Sequence, residues 1–238
     1  MRLKSEKDIQ QLRISGRILA EVLRMLVNQA GIGVRLKDLD LLARALIKDK
    51  GARPAFLGYK PESSRKAYPA AICTSVNEVV VHGLPDNYTL KNGDILKIDA
   101  GVDFNGYITD AALTIAVGNP SKAAADLMQA AEEALRDGIK AAESGNRIGD
   151  IGYAIEIVAK KYGVEVLRGL TGHGVGFELH EDPVVYNYGK GGTGAEIVPG
   201  MVIAIEPMFS LSSSSVIQRP DDSYVTADGS LSVHFEHT

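Results

Sequence analysis

The dipeptide Asn105-Gly106 stands between two apolar runs, Ile95 to Val102 and Tyr107 to Val117. Asn-Gly supplies the two positive-φ residues of a tight turn whose twist matches that of paired strands, so the runs are predicted to close as a β-hairpin. A two-residue turn also fixes register, setting Phe104 opposite Tyr107, Gly101 opposite Asp110 and Asp99 opposite Ala112. Side chains alternate faces with period two, so Asp99 shares a face with Gly101 and hence with Asp110. The two aspartates become diagonal neighbours, roughly 7–8 Å apart at the backbone. Gly101 is expected to leave space beside them.

Repetition adds a second constraint. Ser5 and Asp8 open an amphipathic stretch in which Ile9, Leu12, Ile18, Leu19, Val22, Leu23 and Leu26 recur at helical spacing up to Gly31. Another helix pattern covers 36–50, followed by strand-like runs at 70–81, 95–102 and 107–117. The order then returns, with helix patterns over 121–142 and 148–162 and strand-like runs at 164–170, 201–209, 224–226 and 231–235. The string Gly33-Val34-Arg35-Leu36-Lys37-Asp38-Leu39 reappears as Gly145-Asn146-Arg147-Ile148-Gly149-Asp150-Ile151, and Lys48 with Gly51 reappears as Lys160 with Gly163. An ancient duplication explains this better than a chance likeness of two helix starts. It predicts an α/β (α+β) chain of helix-helix-sheet halves, about 1–118 and 119–238, with any site at their junction.

The chain carries 26 basic and 30 acidic side chains, a formal net charge of −4, so no basic excess marks a partner among nucleic acids or anionic membranes. A chain of 238 residues buries about 70–75% of its unfolded surface, enough for a substantial core. Cys73 is the single cysteine, which excludes an intrachain disulfide and fits a reducing compartment. No apolar run reaches the roughly 18 residues of a membrane span. Arg2, Lys4, Glu6, Lys7 and Asp8 leave no signal-peptide core at the start of the sequence. A cytoplasmic location is expected.

Three apolar segments place an acid where the pattern asks for a buried side chain: Ile98-Asp99-Ala100, Ile205-Glu206-Pro207 and Phe235-Glu236. An isolated carboxylate in apolar surroundings is prohibitively costly, so such groups are paired, protonated or metal-bound. Each alone fits a salt bridge or a strand end; together with Asp110 they ask for a shared positive charge. His173, within Thr171-Gly172-His173-Gly174-Val175-Gly176, is expected in a loop whose glycines permit close approach to a ligand. Two Asp, two Glu and one His suit a pair of divalent ions such as Mn, Fe or Co better than a thiolate-rich structural zinc site.

The strings Asn77-Glu78-Val79-Val80-Val81-His82-Gly83-Leu84-Pro85, Ile98-Asp99-Ala100-Gly101-Val102, Thr109-Asp110-Ala111-Ala112, Thr171 to Gly176, Ile205-Glu206-Pro207-Met208 and Phe235-Glu236-His237-Thr238 resemble those of the type I methionine aminopeptidases. The resemblance runs from Gly16-Arg17-Ile18-Leu19 in the first helix to the last residue. It implies the pita-bread fold, a pseudo-two-fold arrangement around a curved antiparallel sheet. It also implies a single catalytic domain over 1–238 that removes the N-terminal methionine from nascent proteins and peptides.

By the same resemblance Asp99, Asp110, His173, Glu206 and Glu236 hold two divalent metal ions (Co, Mn, Fe or Zn), bridged by Asp110 and Glu236. His82 and His180 match two active-site histidines that are not ligands, His180 facing the scissile carbonyl oxygen and His82 the amide nitrogen. A water acidified by the ions is the nucleophile, Glu206 its proton shuttle, and one ion receives the free amino group. Tyr68 and Cys73 match positions lining the methionine pocket, and Leu179 stands where an aromatic residue is frequent. Cys73 fits a buried core thiol nearly as well. The tryptophan found near the pocket in some members has no counterpart here. The implied partners are N-terminal peptides and, transiently, the ribosome, met by a monomer.

Family members usually continue past the position of Thr238. Terminal residues tend to fray, so weaker metal retention is expected here. The run Ser212 to Ser215 and the string Arg219-Pro220-Asp221-Asp222 are expected to form a solvated loop at the pocket mouth. The rival readings are an Xaa-Pro aminopeptidase or dipeptidase of the same fold and a non-catalytic peptide-binding module of that fold. The short stretch between His173 and Glu206 leaves no room for the helical insertion of type II methionine enzymes.

Overall fold

A computed structural model describes residues 2–60 and 66–238. Helix α1 (Glu6–Gln29) starts where the sequence places it: the Ser5 hydroxyl accepts from the Asp8 amide while the Asp8 carboxylate accepts from the Ser5 amide. The strands of the first half are β1 (Arg53–Pro54), β2 (Ile72–Val76), β3 (Val79–Val81), β4 (Ile95–Phe104) and β5 (Tyr107–Ala116). The apolar stripes of α1 and of α2 (Leu36–Asp49) pack on β2, β4 and β5, whereas Val80 and Val81 of β3 pack with Leu167, Leu170 and Met208. The second half repeats the order with α3 (Lys122–Ala141) and α4 (Ile148–Tyr162), then β6 (Glu165–Val166), β7 (Thr171–Gly174), β8 (Glu181–Tyr186), β9 (Ile203–Ala204), β10 (Met208–Ser210), β11 (Val216–Gln218), β12 (Tyr224–Thr226), β13 (Ser232–His234) and β14 (Glu236–His237). Among the described strands every pairing is antiparallel, in keeping with an α+β chain. Among the described residues no helix is long and apolar enough to cross a membrane.

The hairpin has the expected register, with Phe104 opposite Tyr107, Gly101 opposite Asp110 and Asp99 opposite Ala112. Asn105 and Gly106 both adopt positive φ, 56° and 83°. The space at Gly101, however, is taken by the pocket wall: an added Cβ would lie 2.8 Å from Phe56 Cε1 and 3.0 Å from Ala55 Cβ. Other runs are more broken than the sequence suggests. Asn77 turns with φ 53° and divides 70–81 into β2 and β3, its side chain bonding both Ile95 N and Asp94. In 201–209, Glu206 and Pro207 separate β9 from β10, because proline has no N–H for the ladder. Of 164–170 only β6 is extended.

Among the described residues, two large hydrophobic cores result, with smaller clusters beside them. One gathers α1 and α2 side chains such as Leu26, Leu39 and Ile47 against Ile72, Leu96 and Ile98. The other gathers α3 and α4 side chains such as Leu127, Ile151 and Ile155 against Phe209, Val233 and Phe235. Between them runs the five-stranded sheet, in which β1 and β2 both pair with β4, β4 with β5, and β5 with β14. Lys97, 1% exposed, ties β4 to β13 by donating to Asn77 O, Ser232 O and Ser232 Oγ at 2.7, 3.1 and 3.2 Å. Burial brings its pKa down to about 7.

Candidate metal centre

Sheet register assembles the acids. Cys73 on β2 faces Asp99 on β4, Asp99 faces Ala112 on β5, and Ala112 faces Glu236 on β14. Directly paired residues share a face, so Asp99, Asp110 and Glu236 project to one side of the sheet. The smaller sheet of β8, β7 and β9 adds His173, and Glu206 follows β9. His173 thus lies on a strand, opposite Ala204, and not in a loop. Its glycine neighbours serve that strand: a Cβ at Gly172 would lie 2.3 Å from Ala204 O, and one at Gly174 would lie 2.2 Å from Asp182 O. Asn187 is fully buried and fixes the Glu206 backbone by donating to its carbonyl at 2.9 Å.

The five acid and histidine positions read from the sequence converge at the floor of a cleft of about 1500 Å³. His173 Nδ1–H donates to Gly174 O at 2.8 Å, which turns Nε2 toward Glu206 Oε1 at 3.6 Å and Asp110 Oδ2 at 3.9 Å. A carbonyl can only accept, so this bond keeps a hydrogen on Nδ1 and leaves Nε2 as the ring nitrogen directed into the acid cluster. Thr238 Oγ1 donates to Asp110 O and accepts from Asp110 N. The residues around Glu236 are therefore tied to β5, not frayed.

The electrostatics call for a cation. Asp99 and Glu206 are raised to about 7, and Asp110 and Glu236 stand well above the carboxylate range; burial is the main cause throughout. Neighbouring acids add to it, Glu206 for Asp99, Asp99 for Asp110 and Asp110 for Glu236. Asp99 Oδ1, Asp110 Oδ1 and Glu236 Oε1 are buried without a hydrogen-bond partner. Hard oxygen donors beside an imidazole, buried and short of hydrogen-bond partners, match what divalent cations require.

Above this floor His82 and His180 open onto the cleft. Desolvation lowers His82, helped by His234, and lowers His180 to about 3, helped by His173 and His82, so both are neutral at pH 7. The Tyr59 hydroxyl lies 2.6 Å from His180 Nδ1. Beside them Cys73 and Leu179 form a small apolar cluster with Phe56, edged by Tyr59 and Tyr68. Burial raises the Cys73 thiol, and the Tyr68 hydroxyl donates to Ile72 O and Gly83 O. Between the two strings expected as a loop, Val216 to Gln218 form strand β11, paired with β12; Pro220, Asp221 and Asp222 line the cleft.

Phe56, Tyr59 and His234 also belong to this cleft, beyond the candidate residues of the sequence. Phe56 and Tyr59 carry no local signal. His234 did have one, since it precedes Glu236 by two positions and period-two alternation puts both on one face.

Buried acids and imidazoles at the floor of an open cleft form sets that could hold divalent metal. The family model for metallopeptidase family M24 matches residues 10–238. Methionine aminopeptidases of Clostridium acetobutylicum and Aquifex aeolicus are each 43% identical, covering 99% of this chain and 93% of theirs. The structure of a methionine aminopeptidase from Thermotoga maritima aligns with TM-score 0.95 and 38% identity over 100% of this chain and 94% of that one. The chain belongs to the M24 metallopeptidases, among the methionine aminopeptidases. A prolidase from Pyrococcus furiosus, at 23% identity and TM-score 0.78, shares the pita-bread fold.

Proposed function

We infer that this enzyme removes the N-terminal methionine from peptides and nascent proteins, with two divalent ions held by Asp99, Asp110, His173, Glu206 and Glu236. The supporting observation is the adjacency of that cluster to the apolar niche of Phe56, Cys73 and Leu179, which suits an unbranched thioether side chain. Four carboxylates balance two divalent charges. When bound, the ions supply Lewis acidity toward the scissile carbonyl, a lowered pKa for the attacking water and a seat for the free amino group.

The protein's own groups do the rest. The Tyr59 hydroxyl is 2.6 Å from His180 Nδ1; with Tyr59 as the donor, His180 carries its proton on Nε2, from which it is donated to the scissile carbonyl oxygen as charge develops there. His82 hydrogen-bonds the amide nitrogen. Glu206 takes the proton of the attacking water and passes it to the departing amine. Tyr68 is held by two backbone carbonyls and forms a rigid wall for the substrate side chain. The halves 1–118 and 119–238 act as one catalytic domain. All of these groups come from one chain, consistent with a monomer that meets nascent chains in the cytoplasm, transiently at the ribosome.

The test is hydrolysis of Met-Ala-Ser by protein loaded with Co, Mn or Fe, with Xaa-Pro peptides as controls. Methionine release with the Xaa-Pro peptides left intact is expected. Preferential cleavage of the Xaa-Pro peptides would reassign the enzyme to the prolidase-like branch, and no cleavage of either would favour a binding module.

A further inference from the structure

One buried imidazole has no place in the ligand set read from the sequence. His234 is 2% exposed, and neither of its ring nitrogens has a hydrogen-bond partner. Its Nε2 lies 3.3 Å from Glu206 Oε2 and 3.9 Å from Glu236 Oε2, yet bonds to neither. Donors that share one ion, each bound at about 2.0–2.2 Å, stand roughly 3–3.6 Å apart and point at the ion instead of at each other. The spacing to Glu206, without hydrogen-bond alignment, has that character.

The backbone holds the ring in place. His234 N donates to Thr114 Oγ1 at 3.0 Å, Thr114 Oγ1 donates to His234 O at 2.6 Å, and β13 is in register with β10 through Met208. Ligand atoms of Glu206, His234 and Glu236 all lie within 4.8 Å of one another, and so do those of Asp110, His173 and Glu236. The centre thus contains two three-residue sets that share Glu236, each with one imidazole.

We propose that His234 Nε2 is a direct ligand of the second ion, so that each ion has an imidazole of its own and Glu236 joins them. This rests on the two-ion reading given above. A nitrogen donor moves the second position away from the all-oxygen set that Mg and Mn accept, toward Fe, Co or Zn. Glu206 then stands between the two imidazoles, its Oε1 facing His173 and its Oε2 facing His234.

The test counts coordinated imidazoles in the Co(II)-loaded enzyme. Proton NMR of such a centre shows one hyperfine-shifted, exchangeable ring N–H for each bound histidine, and calorimetry gives ion stoichiometry and affinity. Wild-type protein is expected to bind two ions and show two such signals. His234→Gln should lose one signal and weaken the second ion at least about tenfold, leaving the first unchanged. Two bound ions with one signal in the wild type would overturn the assignment while sparing the two-ion centre, and this comparison does not depend on the variant folding. Fewer than two ions in the wild type would overturn the two-ion reading and the assignment together.

Discussion

Removing metal turns the buried carboxylates into a pH liability, and their surroundings set its size. Without a cation, burial and mutual repulsion place Asp99 at about 7, burial places Glu206 at about 7, and Asp110 and Glu236 stand higher still than a normal carboxylate. In the unfolded chain all four ionise near about 4. Between those limits the folded metal-free protein binds more protons than the unfolded one, so its stability falls as pH rises. Bound divalent ions displace the protons and remove that slope. Lys97, lowered to about 7 by burial, works in the opposite direction, but it is present with and without metal and cancels in the difference. Displacing one to two protons widens the stability gap between the two forms by about 1.4–3 kcal/mol per pH unit. From about pH 6.5 to 8 this amounts to roughly 2–4 kcal/mol, or roughly 4–16 °C in Tm for a chain of this size. Paired thermal melts of EDTA-treated and Mn-saturated protein measure it. A Tm difference that stays constant or narrows over that range would refute the claim that these acids are held protonated for want of a cation.

Three substitutions probe other parts of the account. Tyr59→Phe removes the 2.6 Å partner of His180 Nδ1; losing one neutral hydrogen bond costs about 1 kcal/mol, so kcat on a Met-peptide should fall roughly 5-fold with KM little changed, and an unaltered kcat would remove Tyr59 from the mechanism. Gly101→Ala drives a methyl against Phe56 Cε1 at 2.8 Å, which should destabilise by about 1–3 kcal/mol and raise KM as the ring moves into the methionine niche; a wild-type Tm and KM would show that the wall yields freely. Thr114→Val deletes both hydrogen bonds that hold the His234 backbone, and urea denaturation should register a loss of about 1–3 kcal/mol; equal midpoints would refute the clamp.

What could be read before folding is what depends on neighbours in sequence. The Asn105-Gly106 turn dictates its own register, and that register puts Asp99 and Asp110 on one face. The Ser5 cap and the helical stripes are local in the same sense. By contrast, His173 looks like a loop residue because its glycines gain their meaning only when β9 and β8 arrive to fill the space they leave. Phe56 reaches the site because Gly101, on a strand formed later in the chain, lets it. Glu206 and Pro207 interrupt a run that reads as continuous strand, and the interruption puts the carboxylate between two imidazoles. The residue types carry the chemistry, whereas long-range pairing decides which of them meet.

The central claim is that acids buried on apolar strands hold the divalent ions that remove methionine. Its most direct test titrates metal-free protein with Mn while following methionine release from Met-Ala-Ser, in the wild type and in His173→Ala. The account predicts no release without metal, release that rises and saturates with added Mn in the wild type, and none approaching that level in the variant. Full methionine release from protein shown by elemental analysis to be metal-free, or equal turnover in His173→Ala, would contradict it.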